Sequence, residues 1–278
     1  MTTTTDDRLL KKLDELIKEE GDRSLLLEFY RKLLHVQFKA KKRIGILRTE
    51  LSRKDIEKRI DQGKPLLSFG DIVTDWSLLR EIFINVIAVF THYPQLFGEI
   101  PERLSKAKTG RLLTKKTVRA WFQGTELPDT ILADDISENL LRVLIHSTIK
   151  PFLENHSQEL IDSVDRERWR RNYCPICGGN PDLAFLDKDK GAKWLLCSRC
   201  DTEWLFKRLD CPFCATQDHS AVAYFTDDEG MYRLYVCEKC KRYLKTIDLR
   251  QAKSEVFLPL ERYYTLDLDA QAREQGYH

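Results

Sequence analysis

The sequence has 278 residues, enough for one large domain or two moderate domains with a hydrophobic core. Hydrophobic residues make up 42% of it and aromatic residues 10%, a composition that indicates a globular protein. The 46 basic and 44 acidic residues leave a net charge of +2, so no overall positive field attracts nucleic acid or an anionic membrane.

Two segments of the sequence bear on its location. Residues 1–7 are polar and lack the basic and apolar regions of a secretory signal. The most apolar stretch, residues 78–90, is interrupted by Arg80, Glu81 and Asn85 and is too short to span a bilayer. The sequence therefore predicts a cytoplasmic protein without membrane insertion.

Residues 6 to about 168 have the apolar spacing of three and four that is typical of helices. Gly21 is predicted to end the first helix, whose apolar face comprises Leu9, Leu10, Leu13, Leu16 and Ile17. Ser24 is placed as the N-cap of the second, whose buried stripe comprises Leu27, Tyr30, Leu34 and Phe38. A short basic helix is predicted over residues 54–60. Residues 63–67 form a loop, because Pro65 disfavours helical dihedrals in the residue before it.

The helix predicted over about residues 76–91 is the best core candidate in this half of the chain. Its wide apolar face comprises Leu79, Ile82, Phe83, Val86, Ile87 and Phe90. Thr114 caps a further helix that ends at Gly124. A long helix is predicted to begin near Asp134 or Asp135 and to be kinked or divided by Pro151. Its predicted apolar positions are Leu140, Val143, Leu144 and Ile149.

From residue 170 the helical pattern gives way to short aromatic and branched runs, such as residues 193–196 and 232–236, which predict hairpin strands. Helical character returns after residue 253. We therefore predict an α+β fold. A helical domain occupies residues 1–169, and two smaller modules occupy residues 170–209 and 210–278, the second with a helical tail.

All eight cysteines lie in this second half, as four Cys-x-x-Cys pairs separated by 19, 10 and 22 residues. The two long separations suit four-sulfur sites in which a hairpin carries one pair back to the other, and the short separation suits a linker. The spacing predicts a first site formed by Cys174, Cys177, Cys197 and Cys200. It predicts a second site formed by Cys211, Cys214, Cys237 and Cys240.

Four thiolates complete a tetrahedral coordination shell, which argues against a hydrolytic zinc ion. Iron and zinc both accept such ligands, so we expect two metal ions of either kind. A purely structural role and a functional role of the metal remain open alternatives. A dithiol redox role for one pair is a further alternative. His219 lies close to Cys214, but with four cysteines present a loop position is favoured over a ligand role.

A basic cluster surrounds the second site, at Lys207, Arg208 and residues 239–245. Aromatic residues lie near it in sequence: Phe213, Tyr232, Tyr235 and Tyr243. Ribbon proteins that bind nucleic acid use such clusters. The nearly balanced net charge favours a solvated surface instead, so nucleic-acid binding is the less favoured hypothesis.

Several of these segments resemble the formate dehydrogenase accessory protein FdhE family. The run from Cys197 to Trp204, with its Cys-x-x-Cys-x-Thr-Glu-Trp pattern, is the most specific of them. Residues 170–178, 237–245 and the tail from 266 are also similar. The resemblance implies a cytoplasmic accessory protein with a helical N-terminal domain and two rubredoxin-like modules that carry the eight cysteines. It also implies contact with the catalytic, molybdenum-cofactor-bearing subunit of formate dehydrogenase.

The leading hypothesis is therefore a non-enzymatic maturation factor that binds that catalytic subunit. Thr202, Glu203 and Trp204 follow a metal-binding turn, which predicts that they contact the partner. The alternative is that Trp204 covers the metal site as part of the core. Two other functions stay open: a redox or sulfur-handling protein that uses iron or a cysteine pair, and a nucleic-acid-binding ribbon protein.

Overall fold

The structure, a computed structural model, describes residues 5–19, 24–45, 51–72, 75–98, 100, 109–128 and 137–278. Helices predominate before residue 170 and strands follow it, which confirms the predicted α+β class. The predicted helix end at Gly21 and helix start at Asp134 or Asp135 lie outside the described residues. In the described part of the chain, no helix is both long and apolar enough to cross a membrane.

The described helices that precede the sheet include both long segments and single turns. They are α1 (Thr5–Glu19), α2 (Ser24–Ile44), α3 (Arg53–Asp61), α4 (Phe69–Ile72), α5 (Trp76–Thr91), α6 (Pro94–Phe97), α7 (Thr109–Leu112), α8 (Lys115–Gln123), α9 (Glu138–Leu160) and α10 (Arg166–Trp169). As predicted, Thr114 caps α8 and Gly124 ends it in the left-handed conformation.

Helix α5 has the bounds and the core face that the sequence predicts. Asp75 caps its N-terminus, because its carboxylate accepts hydrogen bonds of 2.9 Å from the N–H groups of Ser77 and Leu78. The six residues of the predicted apolar face are all buried. Phe90 packs edge-on against Phe29 of α2, with ring centroids 4.9 Å apart.

Helix α9 bears on two predictions, the effect of Pro151 and the position of Val143. It continues through Pro151 to Leu160, so the proline does not divide it. Val143 is exposed, because the buried face lies on the other side of the helix. The buried apolar residues of α9 are Leu141, Leu144, Ile145, Ile149, Phe152, Leu153 and Leu160. Burial on both sides of Pro151 offsets the backbone hydrogen bond that the proline removes.

The chain divides into two compact units, one of residues 1–47 and 69–155 and the other of residues 48–68 and 156–278. The second unit thus takes in two segments that the sequence analysis assigned to the helical domain. Residues 48–68 belong with it because the N–H groups of Leu66 and Leu67 donate to the carbonyls of Pro175 and Ile176, at 2.9 and 2.8 Å. Tyr173 also donates its hydroxyl to the carbonyl of Gly63, at 2.6 Å.

The second unit is built on a sheet of six strands in the order β3-β2-β1-β6-β5-β4. The strands are β1 (Pro181–Leu186), β2 (Lys193–Cys197), β3 (Glu203–Phe206), β4 (Val222–Thr226), β5 (Tyr232–Cys237) and β6 (Tyr243–Asp248). Each half of the cysteine region forms a three-stranded antiparallel meander, and β1 joins β6 in parallel. The two predicted modules therefore share one continuous sheet.

Two short helices, α11 (Leu258–Tyr264) and α12 (Leu266–Glu274), follow the sheet. Ala272 of α12 and the nearby Tyr277 pack against Leu234 and Val236 of β5. A second buried cluster, shared by β1, β2 and β6, comprises Leu183, Phe185, Leu196 and Ile247, with Leu258 packed against it. The C-terminal residues thus supply apolar cover that neither meander has by itself.

The carboxylate of Asp248 fixes the end of β6. It is fully buried and accepts hydrogen bonds from Nε and Nη2 of Arg250, at 2.8 and 2.7 Å, while Nη2 of Arg233 lies 2.5 Å away. The hydrogen bonds from Arg250 are the main cause that lowers the pKa of Asp248, and the charges of both arginines add to it. Asp248 therefore keeps its charge to a lower pH than a free aspartate does.

Candidate metal centres

All four Cys-x-x-Cys pairs form the same backbone turn. The N–H four residues after the first cysteine donates to that cysteine's carbonyl, at 3.0, 3.3, 3.0 and 2.8 Å in chain order. The first cysteine's own N–H donates to the carbonyl five residues ahead, at 2.8, 2.9, 3.1 and 2.9 Å. The residue directly after each pair is left-handed: Gly178, Asp201, Ala215 and Lys241, with φ of 70°, 55°, 56° and 56°.

These turns direct both sulfur atoms of a pair to one point, and β2 and β5 deliver the second pair of each site. Cys197 is the last residue of β2, and Cys237 is the last residue of β5. Each hairpin therefore returns its second turn to the first, as the 19- and 22-residue separations predict. The structure groups the eight cysteines into the two predicted sets of four, and within each set the sulfur atoms all lie within 4.8 Å of one another.

The first site is enclosed by protein. Its four cysteines are at most 3% exposed. The Sγ of Cys200 lies 3.6 Å from that of Cys174 and 3.4 Å from that of Cys177, which is itself 3.5 Å from that of Cys197. Backbone N–H groups of Ile176 and Arg199 donate to two of these sulfur atoms, each at 3.4 Å.

The second site has the same plan but is less enclosed. The Sγ atoms of Cys211 and Cys240 are 3.7 Å apart, as are those of Cys214 and Cys237. The N–H of Phe213 donates to Cys211, at 3.4 Å. Cys214 and Cys240 are partly exposed, whereas Cys211 and Cys237 are buried. Solvent and small reagents therefore reach this site more readily than the first.

These distances fit a tetrahedral metal ion. Metal–sulfur bonds of about 2.3 Å place the sulfur atoms of a tetrahedron about 3.8 Å apart, whereas a disulfide requires about 2.05 Å. The observed separations of 3.4–3.7 Å match the tetrahedron and exclude disulfides between these pairs. Each set of four could hold one metal ion. The ligand role of the individual cysteines stays a prediction.

In their thiol form, the cysteines of the first site oppose one another's ionisation. Burial and neighbouring thiols raise the pKa of Cys174 and Cys200 well above the ordinary value. Burial also acts against ionisation of Cys197, but hydrogen bonds from the other three thiols and from the N–H of Arg199 outweigh it and lower its pKa. A bound cation would counter this opposition, because it favours the thiolate form of its cysteine ligands.

The cysteines of the second site also differ from one another in pKa, but less strongly. Burial raises the pKa of Cys211 to about 12. Burial also acts to raise the pKa of Cys214, but hydrogen bonds from the N–H of Thr216 and from the neighbouring thiols outweigh it and lower that pKa. Cys214 is thus a partly exposed cysteine that favours the thiolate, which is the reactive form of cysteine.

The comparison with known proteins bears on the same region. A family model described as FdhE, central domain, matches residues 173–208, which hold the first site. The Protein FdhE homolog of Aquifex aeolicus (strain VF5) is 28% identical over 274 residues, which cover 96% of this chain and 90% of that protein. The chain is similar to FdhE proteins over most of its length. The Cys197–Trp204 run on which the sequence resemblance depends lies within the matched segment.

Two further FdhE proteins are similar to this chain. Protein FdhE of Escherichia coli O127:H6 (strain E2348/69 / EPEC) is 27% identical over 235 residues, or 80% of this chain and 69% of that protein. The crystal structure of the FdhE protein from Pseudomonas aeruginosa matches with a TM-score of 0.65 and 22% identity, covering 100% of this chain and 94% of that one. This last match shows the shared fold.

The Thr-Glu-Trp run of the FdhE pattern, residues 202–204, packs beside the first site. Trp204 has no exposed surface, and its indole N–H donates to the carbonyl of Arg171 at 2.8 Å. The hydroxyl of Thr202 is buried 3.0 Å from Sγ of Cys200. Burial raises the pKa of Glu203, against the opposing charge of Arg166. Trp204 therefore occupies the core position beside the site that the sequence offered as the alternative, and partner contact through Thr202, Glu203 and Trp204 stays a prediction.

Sequence reasoning missed Arg262, which ties α11 to the first site. Its guanidinium binds the carboxylate of Asp182 at 2.7 and 3.0 Å, donates to the carbonyl of Cys197 at 2.9 Å and lies 2.8 Å from Asp201. One arginine thus holds strand β1 and the second cysteine turn together. No local pattern marks it, because the contacts connect residues 61 to 80 positions apart.

Part of the basic cluster around the second site is engaged in contacts within the protein. Lys245 is buried, with its ammonium 2.7 Å from Asp269. Lys241 pairs with Glu238, and Arg242 lies over the ring of Phe213 at 4.0 Å. His219 begins a short 3-10 helix (His219–Ala221), is largely exposed and lies 3.6 Å from Asp210.

The left-handed turn residues provide a stability test. Ala215 is exposed and has φ 56°, so Ala215→Gly relieves backbone strain without loss of packing. Left-handed backbone costs an alanine about 1–2 kcal/mol, and glycine loses about 0.5–1 kcal/mol more entropy on folding. We expect a net gain of roughly 0.5–1 kcal/mol, seen as a higher midpoint of thermal unfolding.

Ala223→Gly is the matched control, because Ala223 is also exposed but lies in β4. It should lower the midpoint, since glycine weakens a strand without relieving strain. If both variants lowered the midpoint equally, the left-handed strain at Ala215 would be refuted.

Proposed function

We propose that this chain is a cytoplasmic accessory protein of formate dehydrogenase that binds the molybdenum-cofactor-bearing catalytic subunit during assembly. The observation that carries the proposal is the similarity to FdhE proteins, with a match to the FdhE central domain over the residues that hold the first cysteine site. The accessory role, the partner and the location come from the family resemblance drawn in the sequence analysis.

In this proposal each set of four cysteines holds one iron or zinc ion. The fit of the sulfur separations to a tetrahedron supports it. Four thiolates leave no coordination position for water or a substrate, which favours a non-enzymatic protein. The ions would hold the turns and hairpins together, because metal binding to such sites supplies folding free energy.

The proposal is tested by copurification. Tagged protein should retain the catalytic subunit of formate dehydrogenase, and cells that lack this protein should lose formate dehydrogenase activity. The Cys197→Ser variant should neither retain the catalytic subunit nor restore formate dehydrogenase activity in those cells, because it lacks a predicted ligand of the enclosed site. Ser198→Ala, at the next residue of the same turn, is the control and should behave as the wild type. Full enzyme activity in cells without the protein would overturn the proposal.

A second candidate function, thiol or iron redox chemistry, is favoured by one observation. Cys214 is partly exposed and its pKa is lowered, which is the setting of a reactive thiolate. Brief alkylation of the purified protein should then modify Cys214 before any other cysteine, with the visible absorption of an iron site lost in parallel. If all eight cysteines resist the reagent equally and only zinc is bound, this candidate is removed.

A further inference from the structure

Strand β4 lies at one end of the sheet and presents aromatic side chains to solvent. Tyr224 is 51% exposed and Phe225 is 50% exposed, although both lie within a regular strand. Among the described residues, β5 is the strand that pairs with β4, and the sheet order places nothing on its other side. Natural sheets usually protect such an edge with lysine, proline or a covering segment, and residues 222–226 contain neither lysine nor proline.

The outer side of β4 has backbone groups free to pair with another strand. The N–H of Asp227 donates to Tyr232, and the carbonyl of Ala221 accepts from Glu238, so odd-numbered residues of this strand face β5. Antiparallel strands alternate the direction of their backbone groups from residue to residue. The N–H and C=O groups of Tyr224 and Thr226 therefore point away from the sheet, as does the C=O of Val222, whereas the N–H of Val222 donates to the carbonyl of His219.

The other meander contains a strand equivalent to β4 whose outer side is occupied. Leu183 to Leu186 of β1 pair with the four residues before Cys197, and Ala223 to Thr226 of β4 pair with the four residues before Cys237. Phe225 is therefore the equivalent of Phe185. Strand β6 pairs in parallel with the outer side of β1 and sets Ile247 beside Phe185. This pairing leaves Phe185 only 7% exposed.

The turns that follow β1 and β4 begin with equivalent aspartates. Asp187, directly after β1, donates its N–H to Ala192, and the equivalent Asp227 donates to Tyr232. Three residues after Ile247, the guanidinium of Arg250 lies against Gly191 of the β1 turn; a Cβ there would be 2.9 Å from Nη1. The β4 turn is more acidic than its counterpart, with Asp228 and Glu229 exposed beyond Asp227.

We propose that the outer side of β4 binds an extended protein segment in parallel, as β6 binds β1. The segment carries an apolar residue beside Phe225 and, three residues later, an arginine or lysine that meets the acidic turn of residues 227–229. Strand addition of this kind obtains affinity from backbone hydrogen bonds and specificity from alternate side chains. The assignment of this segment to the catalytic subunit rests on the proposed function. The proposal that the β4 edge binds a segment does not.

Pairing of β4 with the outer strand β3 of a second copy of the chain is less favoured than binding of an extended segment. The opposite outer strand, β3, packs against α10, and Arg166 of α10 lies 3.8 Å from Glu203 of β3. A second copy therefore cannot offer β3 to β4 as freely as an extended segment can. Antiparallel pairing of β4 with β4 of another copy would appear as a dimer in solution, and that result would contradict the proposal.

The test uses a peptide with the sequence of this chain's own β6 and the residues after it, 242–250, and the intact 15N-labelled protein. We expect chemical-shift changes concentrated at residues 222–229 during titration. Thr226→Pro should weaken binding at least about tenfold, because the ring replaces an outward N–H that β5 does not use. Thr226→Ser is the matched control and should stay within about twofold of the wild type.

Two further variants test the side-chain pattern. Phe225→Thr should weaken peptide binding by roughly tenfold, since it removes the apolar contact but keeps a good strand former. A peptide with glutamate in place of its last arginine should bind more weakly, and added salt should reduce the difference. A protein that shows no shift changes at β4, or whose affinity is the same for Thr226→Pro and Thr226→Ser, would overturn the proposal.

The outcome is separable from that of the proposed function. If the catalytic subunit copurifies equally with wild type and Thr226→Pro and the peptide does not bind, the edge proposal fails while the accessory function stands. If the peptide binds but the catalytic subunit never copurifies, the edge stands and the accessory function fails.

Discussion

The meeting of four cysteine sulfur atoms at a single point, twice in the chain, is the constraint on which the C-terminal unit depends. Thiols held this close in a buried site cannot all ionise without a cation, as the raised pKa values of Cys174 and Cys200 indicate. In the proposed account a metal ion resolves this conflict. The identical turns, their left-handed residues and the two hairpins all follow from the need to aim sulfur at that point.

The remaining parts of the unit support the two sites unequally. The first site receives Thr202, Trp204, Arg262 and the loop that contains Leu66, and all four of its cysteines are buried. The second has a lighter cover from the C-terminal end, where the N–H of His278 donates to the carbonyl of Lys241 at 2.8 Å. This difference in cover favours a structural role for the first site and leaves chemical reactivity, if any, to the second.

Local patterns predicted much of the fold. Helix α5, the cap at Thr114 and the grouping of the cysteines depend on contacts within one helix, one turn or one hairpin, so sequence spacing is enough to define them. The burial of Trp204 and the role of Arg262 depend on residues far apart in the chain. The same is true of the parallel pairing of β1 with β6, which merges two predicted modules into one sheet. Periodicity carries no information about such contacts.

The merged sheet also explains why the two meanders differ at their edges. Strand β1 pairs with β6 and buries Phe185, whereas the equivalent strand β4 leaves Phe225 exposed to solvent. A repeat joined end to end necessarily leaves one such edge, and an accessory protein can use it for a partner.

The central claim, that two four-cysteine sites hold the C-terminal unit together, is tested most directly by elemental analysis of freshly purified protein. The account predicts two ions of iron, zinc or both per folded chain, and loss of tertiary structure when a strong chelator removes them. A folded chain with eight free thiols and no bound metal would contradict it.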